Sequence, residues 1–326
     1  MTAGLTYYPD DQPGITRRRC GRGFTYIGTD GTTIDDASEW ARLKALAVPP
    51  AYDDVWMSPL TNGHLLATGP DTKQRKQYRY HPDWTAAKAQ TKFDRLIDFG
   101  HRLPRIRRRL RRDLTIEVGE KEFALASAVT LIDRAALRVG NPEYTAENGS
   151  YGALTLRNRH VQLKGNRVHL NYIAKGGKRI RRQLADRTLA RILNKIDDLP
   201  GATLLSWLDD TNTPHRLTSE ALNSYIADAA GDDGVTAKTF RTWAGTLAAF
   251  ERYAPGRQIT IKEMAQAASA ALHNTPTIAR NSYIHPAVIA LADTPESLPS
   301  APDINDLRVA ERQLLAFLEQ GREAPD

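Results

Sequence analysis

The 326-residue chain reads as an α+β protein. A β-rich N-terminal domain over residues 1–82 precedes a mainly α-helical domain over 83–326 that carries a small antiparallel sheet. Three observations predict this. Before residue 82, short β-prone runs alternate with Gly- and Asn-containing turns. From about 84 the apolar residues recur at helical spacing. Between about 152 and 185 a two-residue alternation returns. The hydrophobic fraction of 41% is enough for a real core, and the length suits one large or two modest domains.

In the N-terminal part, TYIGTDGTTI carries an Asp30-Gly31 turn between β-prone residues, and DVWMSP and HLLATG flank a turn at Thr61-Asn62-Gly63. KQYRYH alternates large and polar side chains. One short helix, Ser38 to Leu46, stops before Val48-Pro49-Pro50. Helices are then expected from Trp84 to about Phe99 and from about Arg105 to Leu114. Residues 121–137 are apolar on most sides, so this helix should be buried. Strands follow in GALTLRN, HVQLKG and RVHLNYIAKGGKRIRRQL, the last long enough to fold into a hairpin at Gly176-Gly177. Further helices are expected at 184–197, 217–230, 236–252, 260–272 and 303–321. A loop is expected at 253–259 and a Pro-rich linker at 294–302.

The net charge of +7 makes a polyanionic partner reasonable, although it fits a merely soluble basic protein equally well. The only cysteine, Cys20, excludes an internal disulfide and the paired spacings of Cys/His zinc sites. No apolar run approaches the 18 or so residues of a membrane span, and MTAGLTYYPDDQPG has no leader-like apolar stretch, so a cytoplasmic protein is expected. A phosphate-binding loop is missing as well: Ala174-Lys175-Gly176-Gly177-Lys178 lacks the first glycine and is followed by Arg179.

The chemistry-bearing residues are dispersed. They are Arg138 in LRVGN, Lys175 in IAKGGK, Arg241 in KTFRTWAG, Asn274 in HNTP and Tyr283 in RNSYIHP. Taken singly, each has an ordinary reading: a helix-end arginine, a solvated turn lysine, a helix-face ion-pair partner, a turn former, a packing tyrosine. Together they suit metal-free phosphoryl transfer to a tyrosine. A phenol of pKa near 10 is a poor nucleophile until its anion is stabilised. Two guanidinium groups favour the phenolate and fit phosphate oxygens. A lysine on a glycine turn can protonate an alkoxide leaving group.

The order of these residues and their flanking strings resembles the type IB DNA topoisomerases, specifically the small branch of poxviruses and bacteria. The unbroken stretch RVGNPEYTAENGSYGALTLRNRH adds to the likeness, which spans about residues 15–290. The resemblance implies an isomerase that relaxes supercoiled DNA through a 3′-phosphotyrosyl intermediate, with no cofactor, no metal and no ATP. It also implies a monomeric, C-shaped clamp around duplex DNA, associated with the nucleoid. Tyr283 would be the nucleophile, Arg138 and Arg241 the phosphate clamp, Lys175 the general acid and Asn274 a donor to a non-bridging oxygen. Many members carry histidine nine residues before the tyrosine. Here that position is Asn274, preceded by His273.

Two other classes remain in view: a tyrosine recombinase and a non-catalytic DNA-binding protein. Recombinases typically have histidine three residues before the second arginine, whereas this chain has Lys238, as type IB topoisomerases do. Lys238 is therefore added to the catalytic candidates. Gln77, Tyr78 and Tyr80 lie on a strand that faces the major groove in the resembling enzymes. Tyr144 resembles a phosphate-contacting tyrosine, and Arg179 is placed for backbone contact by its neighbour Lys175, as are Arg181 and Arg182. The run 105–112, with six arginines, and Arg17, Arg18 and Arg19 could follow a phosphate backbone or simply face solvent.

Overall fold

The computed structural model describes residues 4–323 other than 198, 200, 202, 255 and 256, so the centre of the expected 253–259 loop lies outside the described residues. The chain divides into two compact units after Lys92.

In the first unit, β1 (Ile15–Cys20), β2 (Gly23–Ile27), β3 (Trp56–Met57), β4 (Leu65–Pro70) and β5 (Lys76–Tyr80) form one antiparallel sheet, in the order β2-β1-β3-β4-β5. Helix α1 (Ala37–Ala45) starts where the Asp36 carboxylate accepts the Glu39 N–H at 2.7 Å. Its Leu43 completes a small core with Ile15, Tyr26, Val55, Met57 and Ala67. The arginine-rich strand β1 has an internal use for Arg17. Its guanidinium donates to the carbonyls of Val48, Pro49 and Tyr52 and lies 4.1 Å from the Phe24 ring centroid. Arg17 therefore holds the 48–52 loop to the sheet.

Helix α2 (Pro82–Asp113) is continuous through Pro104, where the sequence predicts two helices, one ending near Phe99 and one starting near Arg105. An internal proline removes one hydrogen bond and costs about 3 kcal/mol. The buried stripe Leu96, Phe99, Leu103, Ile106 and Leu110 runs through that point and offsets the cost. The arginine run at its end is mixed: Arg105 and Arg108 are exposed, while others are held by carboxylates. Arg107 is buried against Asp133 and Glu311, Arg109 and Arg112 both bond Asp113, and Arg111 bonds Asp306.

The second unit continues with α3 (Lys121–Ala135), α4 (Pro142–Asn148), β6 (Val161–Lys164), β7 (Arg167–Ala174), β8 (Lys178–Ala185), α5 (Arg187–Ile196), β9 (Ser206–Leu208) and β10 (Pro214–Arg216). It ends with α6 (Ser219–Ala230), α7 (Ala237–Phe250), α8 (Ile261–Leu272), α9 (Pro276–Tyr283), α10 (Pro286–Ala290) and α11 (Val309–Glu323). Helix α3 is buried almost all round, as its composition predicts. Strands β6, β7 and β8 form an antiparallel sheet whose inner face presents Val168, Leu170, Tyr172, Ala174 and Ile180. Gly176 and Gly177, both at positive φ, make the β7–β8 turn that the sequence predicts.

GALTLRN is not a strand. It forms two 3₁₀ turns, Ala153–Thr155 and Asn158–His160. The Thr155 hydroxyl accepts the Gly152 N–H at 2.9 Å, which folds the chain back, and Ala153, Leu154 and Leu156 are buried without alternation. The β9–β10 hairpin also lies in a stretch read as mostly helical.

Candidate active site

Arg138 leaves the end of α3 on a fixed backbone. Ala136 turns left-handed at φ 49°, and the chain then presses against Gly152. A Cβ at Gly152 would lie 2.5 Å from Gly140 N and 2.6 Å from Arg138 O, so the approach admits only glycine. Ala153 N–H and Leu154 N–H bond the Arg138 and Val139 carbonyls at 2.8 Å each. The Arg138 side chain is half-buried.

Arg241, on α7, is 4% exposed. One terminal nitrogen donates to Ala136 O and the other to Leu272 O at 3.1 Å. The guanidinium thus satisfies the carbonyl ends of α3 and α8 together, where helix dipoles favour a cation. Its Cζ is 5.3 Å from the Tyr283 ring centroid, and its buried Nε has no partner. Burial lowers its pKa, the neighbouring charge of Arg138 lowers it further, and the Tyr283 phenol opposes both. Arginine stays protonated regardless.

Tyr283 is the last residue of α9 and is half-buried. The helix begins with the Thr275 hydroxyl accepting the Ile278 N–H at 3.3 Å and Pro276 in its first turn. Its far end lies on α7 at Gly245, where a Cβ would stand 2.9 Å from Tyr283 O and 3.0 Å from Tyr283 Cβ.

Asn274 is 6% exposed, and neither its Nδ2 nor its Oδ1 has a partner. Its carbonyl is well satisfied, accepting from Ser269 Oγ at 2.8 Å and Lys178 Nζ at 3.2 Å. His273 is the left-handed cap of α8, at φ 53°. Its ring pKa is pushed down to about 4 by burial and then by Arg182, Lys178, Arg241 and Arg138, which keeps it neutral near pH 7. The same cations surround Tyr172, on the inner face of β7. Burial raises its pKa to about 12 against the pull of Arg241, Arg138 and Arg182.

The structure therefore brings together Arg138, Arg241 and Tyr283, with Asn274 beside them through His273. Lys175 stands exposed on the hairpin turn, its Nζ 5.5 Å from the Tyr144 ring centroid, so these two form a separate pair. Lys238 is exposed in the first turn of α7. Arg179 is register partner to Ile173, one residue on from Lys178 and so on the other face of the sheet. Arg182 donates to Ala135 O at 2.6 Å and Ala271 O at 3.1 Å, which gives it a framework role.

In the first unit the three residues of β5 divide. Tyr78 and Tyr80 are exposed with rings parallel and centroids 6.0 Å apart. Gln77 lies on the opposite side and donates to Asp71 Oδ2 at 3.1 Å.

Tyr172, Lys178 and Thr246 escape a reading of motifs alone. Tyr172 leaves one signal, the inward alternation of RVHLNYIA.

The Arg241 guanidinium lies against the Tyr283 ring with the Arg138 charge close by, an arrangement with the charge and donors that a phosphate beside a tyrosine oxygen would need. Residues 74–280 match the catalytic core of eukaryotic DNA topoisomerase I, and residues 23–71 match the N-terminal domain of bacterial DNA topoisomerase IB. The chain is 29% identical to the DNA topoisomerase 1B of Acanthamoeba polyphaga mimivirus over 238 residues, 72% of this chain and 70% of that one. It is 21% identical over 293 residues to the DNA topoisomerase 1B of Vaccinia virus (strain Copenhagen) and to the DNA topoisomerase I of Monkeypox virus, covering 83% of this chain and 87% of each. The chain belongs to the type IB DNA topoisomerases. The core match ends at residue 280, so Tyr283 lies three residues beyond it.

Proposed function

We propose that this topoisomerase cuts one strand of duplex DNA with Tyr283 and reseals it with the residues around that phenol. The Tyr283 oxygen attacks the scissile phosphorus, the P–O5′ bond breaks, and a 3′-phosphotyrosyl link holds the cut end. The phenol loses its proton to the medium and the 5′ oxygen takes one from Lys175 at the hairpin tip. Arg138 and Arg241 hold the non-bridging oxygens as negative charge builds, and Asn274 Nδ2 gives a further hydrogen bond. Lys238 assists at the phosphate. Religation reverses each step, so the phosphodiester energy is kept and ATP is not needed. Torque drives rotation between the two steps, and supercoils of either sign relax.

Residues 1–82 serve as a DNA-binding domain and 83–326 as the catalytic domain. The protein acts as a monomer associated with the nucleoid. Tyr78 and Tyr80 contact the major groove from one side of β5, Gln77 reaches a base edge only by leaving Asp71, and Tyr144 and Arg179 contact the backbone. The observation that carries the reading is Arg241, which ties the ends of α3 and α8 while its guanidinium stands 5.3 Å from the Tyr283 ring.

The test is Tyr283→Phe. It should shift DNA in a gel as the native protein does yet give no adduct when a cleavage reaction is stopped with SDS. An adduct from that variant removes Tyr283 from the role.

A further inference from the structure

Helix α9 ends abruptly. Ile284 is extended at φ −108°, so the Tyr283 carbonyl loses its intrahelical partner where the nucleophile must be held still. The partner comes from α7. The Thr246 hydroxyl donates to Tyr283 O at 3.0 Å and accepts the His285 N–H at 3.1 Å. Thr246 itself is 0% exposed. One hydroxyl closes around residues 283–285 from both sides. Gly245, one residue earlier, supplies the space for that close approach. Ile284 is itself buried, so the clasped segment is anchored by packing as well.

We propose that Thr246 is a positioning residue for the cleavage step: its hydroxyl sets the height and rotation of the α9 terminus and so aims the Tyr283 phenol at the phosphorus. The inference rests on Tyr283 being the nucleophile. Arg241 and Thr246 belong to the same helix, so α7 carries both a phosphate-clamping group and the brace for the attacking one. In-line attack tolerates little displacement, and a shift of about 1 Å at a reacting group costs roughly 100-fold in rate. Without the hydroxyl, Tyr283 O and His285 N–H lose this shared partner and the segment moves to find others.

The experiment compares Thr246→Val and Thr246→Ser with the native protein. It reads the single-turnover rate of SDS-trapped adduct at saturating duplex, the duplex affinity and the melting temperature. Thr246→Val keeps the shape and loses the hydroxyl. It should cleave about 10- to 100-fold slower with unchanged affinity. Thr246→Ser keeps the hydroxyl and should cleave within about threefold of native. Thr130→Val serves as the control, because that buried hydroxyl bonds only its own helix at Ala126 O, 2.8 Å. It should leave the rate unchanged.

Native-rate cleavage by Thr246→Val overturns the proposal, and so does a loss that Thr246→Ser shares in full. If Thr246→Val lacks a melting transition, Thr246→Ser is read against Thr246→Ala: a fast serine with a slow alanine supports the brace, and equal rates overturn it. Tyr283→Phe run alongside separates the two levels. An adduct from it removes the nucleophile and this proposal together, whereas a silent Tyr283→Phe beside a fast Thr246→Val overturns the brace alone.

Discussion

Asn274 is a buried amide with nothing to bond. Each hydrogen bond left unmade in such a place costs about 1–3 kcal/mol, and an unsatisfied group calls for a functional reason. A phosphate oxygen would accept from Nδ2, so the cost falls on the free protein and the return comes when DNA is cut. Asn274→Ala should therefore slow adduct formation about 100- to 1000-fold, the usual effect of deleting one such donor. The melting temperature should not fall, since an unsatisfied group has gone. A clear drop in melting temperature with cleavage intact would place Asn274 in the framework instead.

Lys175 tests the other half of the step. Lys175→Ala should slow cleavage of ordinary DNA and spare a substrate whose 5′ leaving group is a thiol, which needs little protonation. Equal losses on both substrates would take the general-acid role away from Lys175.

At this scale the polar residues with their own flanking strings were legible, because order along the chain survives folding. Thr246 and Lys178 were not. Their roles arise only when α7, the β7–β8 hairpin and the α8–α9 turn meet, and no spacing in the sequence encodes those meetings.

Among the elements, α7 has the most at stake. Arg241 holds α3 and α8 by their carbonyl ends, and Gly245 lets α9 lie against the helix with no side chain between them. A Cβ at Gly245 would come 2.8 Å from Leu272 Cδ1 and 2.9 Å from Tyr283 O. The leucine can turn away, but the backbone oxygen cannot without moving α9. Gly245→Val should therefore destabilise the protein by about 1–3 kcal/mol, the range for overpacking. It should also slow cleavage per folded molecule, with both effects read by urea unfolding and adduct formation on one preparation.

Elements with a strong period were the legible ones: α3, the β7–β8 hairpin and α8. Two failures share a physical cause. At Pro104 and in GALTLRN, local preference lost to burial. A continuous apolar stripe carried α2 through its proline, and the Gly140–Gly152 approach folded a strand-like string into 3₁₀ turns. Sequence shows the preference but not the packing that overrules it.

The largest scale brings in the segment after residue 291, about which the sequence suggested only a linker and a helix. Helix α11 is built into the second unit. Its Leu314, Leu315, Phe317 and Leu318 enter the core, and Glu311 is 0% exposed among three cationic or aromatic partners. Arg107 bonds both oxygens of Glu311 at 2.8 and 2.9 Å, Arg308 bonds one at 2.7 Å, and Trp243 Nε1 lies 3.4 Å from Glu311 Oε1. Asp133 completes the set on Arg107 at 3.0 Å. Arg107, from the arginine run of α2, thus serves cohesion, and with Glu311 it links α2, α3, α7 and α11.

Burial alone would raise the Glu311 carboxyl. The two guanidinium groups overcome it and hold the carboxyl at about 2, well below its value of about 4.3 in an unfolded chain. A depressed carboxyl contributes its full stability above the unfolded value and loses it as pH falls toward the folded one. Glu311→Gln keeps the shape but removes the charge, and breaking one partner of a buried pair costs about 3–5 kcal/mol. The gap in unfolding free energy between native protein and Glu311→Gln should therefore be full at pH 7 and still full at about pH 5.5. It should narrow steadily from about pH 4.5 to pH 2, as the native protein becomes protonated at Glu311. Urea unfolding of both proteins at pH 7, 5.5 and 3 reads that gap directly. A gap as wide at pH 3 as at pH 7 would mean that side-chain shape, and not the carboxylate charge, ties α11 to α2.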